Sequence, residues 1–510
     1  MLTERASGIL LHVSSLPSRG GIGDLGPAAY AFADFLAAAK QKYWQFLPLS
    51  PTGYGNSPYS ALSAFAGNPL FLSLEVLAQQ GWLSASQLDG LPGCHGPVDF
   101  EAASSAKLPL LRQAAGNFLD RAPQPDRLRF DAFCRQSAHW LDDYACFAIL
   151  RQMFDGASWS AWPEQYKQRE SQAMEQLRAA HPRELAAEKA LQFFFEEQWQ
   201  ALRNYCAGRG IRLIGDAAIF VNYDSADVWM QPEIFELDEH RNALRVSGVP
   251  PDYFSPTGQR WGNPLYRWDL LQKQNFAWWV ARIRRALALC DLLRLDHFRG
   301  FEAYWAIPAE DATAMYGQWI QAPGNQLFAR LQGELGGLPL IAEDLGLITP
   351  QVEQMRRDFG LPGMRVLQFG FSDRGAHIHL PHSCEENMVI YTGTHDNDTT
   401  LGWWHRTNPA EREAIAAYLH PGDDGIVWAM IRAAATSVAR LCLFPMQDVL
   451  QLDSDARMNT PAQSTGNWAW RYDADAAQPW IAQKLAALSE VTDRDGWVRE
   501  SPQPQDDATR

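Results

Sequence analysis

Three acidic residues each follow a run of apolar and β-branched residues. Asp296 ends the run LLRLD, Glu343 follows PLIA, and Asp396 comes shortly after MVIYTGT. Such runs alternate with helical stretches along this chain. Because the carboxyl ends of parallel strands meet at one face of a sheet or barrel, where these folds carry out their chemistry, we expect the three carboxyl groups to share one site.

Two of these acids suit the cleavage of a glycosidic bond with retention. That reaction needs one carboxylate as the nucleophile and a second carboxyl group, roughly 5–5.5 Å away, as the acid. Asp296 lies between Arg294 and His297, two donors that would keep it ionised and oriented. Glu343 follows an apolar run and has Asp344 beside it, so burial and a like charge would raise its pKa toward the range of a general acid.

Each acid also has a plainer interpretation. A strand-end carboxylate often pairs with a nearby cation, here Arg294 or Arg299, but three such acids on three strands favour a catalytic site. Asp216 in LIGDAAIF ends a further run, where it either binds a sugar hydroxyl or caps a helix. His395 lacks a second histidine four residues later and a cysteine cluster, so we predict no metal site there.

Eight apolar, β-branched or aromatic runs recur, with helical stretches between them. A closed (β/α)8 barrel requires this number of strands, and continuous hydrophobicity is typical of strands buried on both faces. The expected fold class is therefore α/β, a (β/α)8 TIM barrel with large, mainly helical insertions in the βα loops. The eight runs are GILLHVSSL, YWQFLPL, IRLIGDAAIFV, LLRLDHF, LPLIAEDLG, MRVLQFGF, MVIYTGT and RLCLFPMQDVL.

Two intervals are too long for ordinary connections between a strand and a helix. The first carries apolar residues at helical spacing, as in SAHWLDDYACFAILRQMF, whereas the second is rich in Pro, Gly, Asp and aromatic residues. The expected organisation is a barrel start at 1–55, a helical insertion subdomain at 56–182, barrel at 183–221, a substrate-loop insertion at 222–267, the barrel remainder at 268–497 and a disordered tail at 498–510.

The composition narrows the possible partners and compartment. A formal net charge of -15 argues against a nucleic-acid or anionic-membrane partner, since either needs a basic face. Seven cysteines stand singly without a C-x-x-C pair, which suits a reducing compartment. The chain shows no signal-peptide pattern and no run near eighteen uncharged apolar residues. We expect a cytoplasmic, soluble protein with a neutral ligand.

Twenty tryptophans and fifteen tyrosines supply flat apolar faces with a polar edge, which suit the faces and hydroxyls of glucose units. Most will pack in the core. The favoured exceptions lie among Pro, Gly and Asn residues in loops: Tyr54, Tyr59, Tyr253, Phe254 and Trp261.

Six motifs together make the chain similar to a known family. They are RLDHFRG, AEDLG, TGTHDND, GYGNSPYS, PPDYFSPTGQRWGNPLY and FPMQDVL. With these motifs, over about residues 5–475, the chain resembles the 4-α-glucanotransferases called amylomaltase or disproportionating enzyme. The resemblance implies an α-amylase-related barrel and a retaining double displacement that transfers glucosyl units between α-1,4-glucans or maltooligosaccharides, releasing glucose or a shorter glucan. It implies no metal and no other cofactor.

The resemblance also implies roles for individual residues. Asp296 would be the nucleophile, Glu343 the acid and base, and Asp396 the carboxylate that holds hydroxyls of the distorted sugar. The matched substrate-binding positions are Ser57, Tyr59, Asp216, Gln259, Trp261, Arg294, His297, Asp344, His395 and Asn467. Tyr253 and Phe254 join Trp261 as expected stacking faces for the acceptor sugar.

Two other functions stay open at this stage. An α-1,4-glucan hydrolase of the α-amylase type uses the same acids with water as the acceptor. A glucan-binding protein without catalysis is a further alternative, although the presence of all three acids speaks against it. The products formed from maltotriose would separate these functions.

Overall fold

The computed structural model describes residues 2–251, 255–463 and 465–496 of the chain. The strands are β1 (Ala6–Leu10), β2 (Tyr43–Gln45), β3 (Arg212–Ala218), β4 (Arg245–Val249), β5 (Gln259–Pro264), β6 (Leu292–Asp296), β7 (Ala303–Pro308), β8 (Gln318–Gln321), β9 (Leu340–Ala342), β10 (Gly363–Val366), β11 (Met388–Tyr391) and β12 (Leu441–Pro445).

The α-helices of the described residues account for most of the remaining regular structure. They are α1 (Pro27–Ala38), α2 (Leu74–Gln79), α3 (Phe100–Arg121), α4 (Gln124–Met153), α5 (Glu164–Lys167), α6 (Ser171–Ala180), α7 (Pro182–Gly208), α8 (Ala226–Met230), α9 (Trp268–Lys273), α10 (Ala277–Leu289), α11 (Gly324–Leu335), α12 (Pro350–Asp358), α13 (Thr400–Arg406), α14 (Pro409–Leu419), α15 (Gly425–Thr436), α16 (Met446–Val449) and α17 (Pro479–Val491).

Eight strands form one parallel sheet in the order β10-β11-β12-β1-β2-β3-β6-β9. The two end strands also lie side by side, and the N–H of Ala342 donates to the carbonyl of Pro362 at 2.9 Å across the seam. The sheet is therefore a nearly closed barrel, and each predicted run contributes one strand. This confirms the predicted (β/α)8 fold with helical insertions.

Side chains on the two faces of the barrel strands enter two different apolar layers. The inner layer includes Ile214, Ile341, Val389 and Leu443, which come from four different strands and are fully buried. Gly8 of β1 lies in this layer, where an added Cβ would come within 2.4 Å of the Tyr43 carbonyl. The outer layer packs against the helices, so the strands read as continuous apolar runs.

The helical insertion between β2 and β3 packs onto the long helix α7. Phe118 of α3 meets Phe193 and Phe194 of α7 with ring centroids 5.6 and 5.3 Å apart. A buried ion pair between Lys107 and Asp24, 3.1 Å apart, joins α3 to the segment that follows β1. No helix in the described part of the chain combines the length and apolar character needed to cross a bilayer.

A second, antiparallel sheet has the order β5-β4-β7-β8. Two of its strands lie within the predicted 222–267 insertion, and the other two lie in the loop after β6, which the sequence analysis left within the barrel remainder. The sequence did not predict this sheet, because strands such as QRWGNP and QWIQ carry no alternating apolar pattern. The sheet joins the loops that follow β3 and β6. The predicted tail at 498–510 lies outside the described residues.

Candidate active site

The register of three neighbouring strands determines where the first two acids lie. Asp216 of β3 pairs with Arg294 of β6, and Leu295 of β6 pairs with Ala342 of β9. Asp296 and Glu343 each come one residue after that last pair. The N–H of Glu343 donates to the Leu295 carbonyl at 3.1 Å, which extends the ladder into the site.

A buried arginine links two of the carboxylates. Arg294 donates through Nη1 to both oxygens of Asp216, at 2.9 and 2.8 Å, and through Nη2 to Oδ1 of Asp296 at 2.9 Å. Burial opposes the charge of Arg294, but Asp216 and Asp296 raise its pKa well above its usual value. Bonds of this kind to both carboxylates fix the orientation of the Asp296 side chain.

Glu343 is placed in the opposite electrostatic environment. Its Oε2 accepts the N–H of His297 at 2.7 Å and its Oε1 accepts the N–H of Leu345 at 3.0 Å. Burial, followed by the charge of Asp296, raises the pKa of Glu343 to about 7, although Arg294 and the two amides act in the other direction. The predicted rise in this pKa is therefore confirmed.

Burial acts as predicted, but the like charge comes from Asp296 and not from Asp344, whose carboxylate has other partners. Oδ1 of Asp344 accepts the N–H of Met364 at 2.6 Å, and Oδ2 lies 3.3 Å from Arg356 Nε and 3.7 Å from Arg365 Nη1. Asp344 thus ties β9 to β10 and is neutralised by arginines. Its role in sugar binding stays a prediction that these contacts do not favour.

His297 contributes through its backbone more than through its ring. Burial lowers the pKa of His297 to about 4, so the imidazole is neutral near pH 7, whereas the sequence analysis treated it as a donor that helps to keep Asp296 ionised. Its φ of 52° is left-handed, a conformation that is strained for a residue other than glycine. In this conformation the backbone N–H of His297 donates to Glu343.

Asp396 is held by side chains from a distant loop. Its Oδ2 lies 3.3 Å from His395 Nε2, its Oδ1 accepts Asn459 Nδ2 at 2.6 Å, and its carbonyl accepts Arg457 Nη2 at 2.6 Å. Asp396 keeps a side-chain exposure of 47%, and the partial loss of water around it would raise its pKa, but His395 and Asn459 outweigh this effect and hold that pKa below its usual range. The sequence analysis missed Arg457 and Asn459, because an irregular segment carries no periodic signal.

A buried carboxylate braces both ends of the loop that carries Asp396. Oδ2 of Asp448 accepts the hydroxyls of Thr392 at 2.5 Å and Thr400 at 2.7 Å, while Oδ1 accepts the N–H of Thr400 at 2.7 Å. Asp448 belongs to the FPMQDVL motif, to which the sequence analysis assigned no role. We interpret it as a positioning residue for His395 and Asp396.

Two predicted aromatic faces border these groups. Tyr59 stacks on His395 with ring centroids 5.1 Å apart, and its hydroxyl donates to Asp216 at 2.8 Å. Trp261 meets the ring of His297 edge-on, with centroids 4.8 Å apart and planes at 90°. The structure therefore places Tyr59 beside His395, which precedes Asp396, and Trp261 beside His297, which follows Asp296.

The remaining predicted binding residues lie in loops around the mouth. Ser57 Oγ accepts the N–H of Tyr59 at 3.2 Å, and Gln259 Oε1 accepts Nε1 of Trp261 at 3.2 Å. Asn467 instead closes its own loop, since its side chain accepts the N–H of Thr460 and donates to the Thr460 and Gln463 carbonyls. Two predicted faces lie outside the part of the chain that the structure describes: Tyr253 and Phe254.

Comparison with known proteins gives a consistent result. A family model described as 4-alpha-glucanotransferase matches residues 11–476. A 4-alpha-glucanotransferase of Thermus thermophilus is 47% identical over 97% of this chain and 100% of its own length. A 4-alpha-glucanotransferase of Synechocystis sp. is 46% identical over 97% of this chain and 99% of its own length. The structure of an amylomaltase from Streptococcus agalactiae in complex with acarbose matches with a TM-score of 0.93 and 36% identity, over 96% of this chain and 100% of that one.

Proposed function

The chain belongs to the 4-alpha-glucanotransferase family, and on this premise we propose that Asp296 and Glu343 carry out a retaining double displacement. The protein is a 4-alpha-glucanotransferase, and what we propose is how its residues divide the reaction. One observation carries the assignment: two acids at neighbouring strand ends lie in opposite electrostatic environments. Arg294 donates to Asp296 at 2.9 Å, whereas burial and Asp296 raise the pKa of Glu343 to about 7.

In the first half of the reaction Asp296 attacks the anomeric carbon of the donor glucan. The bond to the leaving oxygen breaks as Glu343 gives that oxygen its proton, and the shortened glucan departs. The glucosyl group remains as an ester on Asp296. Asp396, with its lowered pKa, stays ionised and is free to bind hydroxyls of the sugar at the cleaved bond.

In the second half Glu343 acts as the base. It takes the proton from the 4-hydroxyl of an acceptor glucan, whose oxygen attacks the anomeric carbon and releases Asp296. A glutamate with a pKa of about 7 suits both directions near neutral pH, because neither of its protonation states is rare there.

We infer that donor and acceptor are α-1,4-glucans or maltooligosaccharides. Aromatic faces at Tyr59 and Trp261 and the neutral character of such sugars, set against a net charge of -15, support this substrate class. The relative from Streptococcus agalactiae, which was solved with acarbose, supports it as well.

We further infer a cytoplasmic location. The seven cysteines, all of which the structure describes, are free, and four of them are buried. Free thiols suit a reducing compartment. Their reduced state in protein purified from cells without reductant is the measurement that checks this inference.

Incubation with maltotriose tests the proposed function against an α-amylase-type hydrolase. Transfer yields glucose together with longer maltooligosaccharides, and the number of reducing ends stays constant. Hydrolysis yields a steady rise in reducing ends without longer products. Unchanged maltotriose would contradict catalysis altogether and would leave a glucan-binding protein as the better description.

A further inference from the structure

Trp468 is a buried tryptophan that packs against two residues of the active site. Its ring centroid lies 5.9 Å from that of His395 and 6.0 Å from that of Tyr59, while the latter two lie 5.1 Å apart. The three separations are nearly equal, so the rings form a triangle in which each contacts the other two. Because only 5% of Trp468 is exposed, its ring is placed to support His395 and Tyr59 and not to offer a face to a sugar.

Both neighbours of this ring contact a carboxylate of the site. His395 Nε2 lies 3.3 Å from Asp396 Oδ2, and the Tyr59 hydroxyl donates to Asp216 at 2.8 Å. A displaced His395 or Tyr59 would therefore disturb the carboxylate that it contacts. Close-packed rings transmit such displacements, since a gap beside them lets their side chains shift.

The backbone of Trp468 is bonded to the segment that holds Asp396. Its N–H donates to the carbonyl of Met458 at 2.7 Å. The two residues that flank Met458 both donate to Asp396, at 2.6 Å in each case: Arg457 and Asn459. Trp468 thus braces the surroundings of Asp396 through its backbone as well as through its ring.

The chain holds this tryptophan in a conformation that is unfavourable by itself. The φ of Trp468 is 66°, which is strained for a residue other than glycine and persists only where surrounding contacts hold it. Ser15, which follows β1, donates its hydroxyl to the Trp470 carbonyl at 2.7 Å and lies 3.9 Å from Met458 Sδ. The end of a barrel strand therefore anchors the chain on both sides of the Trp468 contact.

We propose that Trp468 is a positioning residue of the transfer reaction: its ring fixes His395 and Tyr59, and its backbone bond fixes the partners of Asp396. Contacts to the distorted sugar strengthen in the transition state, so a small misplacement of these groups lowers the rate of the chemical step more than it weakens donor binding. The proposal rests on the double displacement proposed above.

First-turnover kinetics at saturating α-glucosyl fluoride test this role, because fluoride leaves without a proton from Glu343. In Trp468→Ala the rate of the fluoride burst should fall roughly ten- to hundredfold, while the donor concentration at half-maximal rate should change by less than about threefold. Trp468→Phe keeps a ring at this position, so it should recover most of the lost rate. In both variants kcat/KM for maltotriose should decline at the same pH as in wild type, since Trp468 does not act through Glu343.

A double-mutant comparison separates positioning from general destabilisation. If Trp468 acts through the segment that holds Asp396, the combination of Trp468→Ala with Asn459→Ala should lose clearly less rate than the product of the two single losses. Trp162→Ala is the matched control, since Trp162 is 3% exposed and packs on Phe147 in the helical insertion, with ring centroids 5.5 Å apart. It should lower the thermal unfolding midpoint and leave the fluoride burst unchanged.

Four results would each refute the positioning role. They are a wild-type burst in Trp468→Ala, a burst reduced as much by Trp162→Ala, an equal loss in Trp468→Phe, and losses of Trp468→Ala and Asn459→Ala that simply multiply. Trp468→Leu, which fills more of the space without a ring, takes the place of Trp468→Ala if the alanine variant does not fold. A wild-type enzyme that forms no product longer than maltotriose would instead contradict the transfer reaction, and the same variants would then test positioning in hydrolysis.

Discussion

The site holds its carboxylates in two different ways. In the strand-end region, formed by Asp216, Arg294, Asp296 and Glu343, each group bonds to residues of the barrel strands or to backbone amides that directly follow those strands. In the loop region, residues 392–400 with Asp396, a positioning group comes from a second irregular segment rather than from a barrel strand, since the side chain of Asn459 donates to Asp396.

Because the two regions hold their carboxylates differently, mutations in them should have different effects. The strand-end acids are fixed by the barrel itself, so changing one of them should remove chemistry and leave the fold intact. Asp396 is fixed by other side chains, so its function should be open to damage from a residue that never touches the substrate. The four predictions below test this contrast, three in the strand-end region and one in the loop region.

Asp296→Asn should have the largest effect. The amide keeps the shape of the side chain but cannot form the ester with the anomeric carbon, so turnover of maltotriose should fall by about 10⁴-fold or more. The thermal unfolding midpoint should stay close to that of wild type, because Arg294 keeps both bonds to Asp216. Activity within about tenfold of wild type, measured on purified protein, would contradict the nucleophile assignment.

Glu343→Gln should lower turnover of maltotriose by about 10²- to 10⁴-fold, the range typical of a lost general acid. The burst of fluoride released in the first turnover of α-glucosyl fluoride should be affected much less, since fluoride leaves without a proton. The two substrates together separate proton donation from binding. Equal losses for both would show that Glu343 is not the acid.

The pH dependence of wild-type kcat/KM should follow the protonation of Glu343. The acid must carry its proton to start the reaction, and its pKa is raised to about 7. As the pH rises through about 7 the protonated fraction falls, so kcat/KM for maltotriose should decline by about tenfold per pH unit above that value. First-turnover fluoride release should lack this alkaline decline. A flat maltotriose profile across the same range would rule out Glu343 as the titrating acid.

Asn459→Ala should have the smallest of these effects. Removing the amide that bonds Asp396 Oδ1 loosens the carboxylate, so kcat should fall by roughly three- to tenfold. Asn117→Ala is the control, because Asn117 also donates its amide in a single bond, to the Trp82 carbonyl at 2.8 Å in the helical insertion. It should change thermal stability at most. If both variants retain full kcat, Asn459 has no part in positioning Asp396.

Local pattern was enough to predict the barrel and its strand-end acids. Each barrel strand is a continuous apolar run because both of its faces are buried, and this signal survives in the sequence without any tertiary information. An acid directly behind such a run must lie at the carboxyl mouth of the barrel. The second sheet escaped prediction because its edge strands, QRWGNP and QWIQ, lack an alternating apolar pattern, and because its two inner strands come from loops far apart in the chain.

Tertiary structure alone decided which residues surround each acid and how they shift its pKa. Asp344 looks equivalent to Glu343 in AEDLG, and burial raises its pKa too, yet it lies beside Arg356 and Arg365, whereas Glu343 lies beside Asp296. The sequence by itself determined which acids reach the mouth, because strand ends follow from local hydrophobicity. Burial and hydrogen bonding depend on residues brought close from elsewhere in the chain, so only the folded structure decided that the pKa of Glu343 rises to about 7 and that Arg294 binds Asp296.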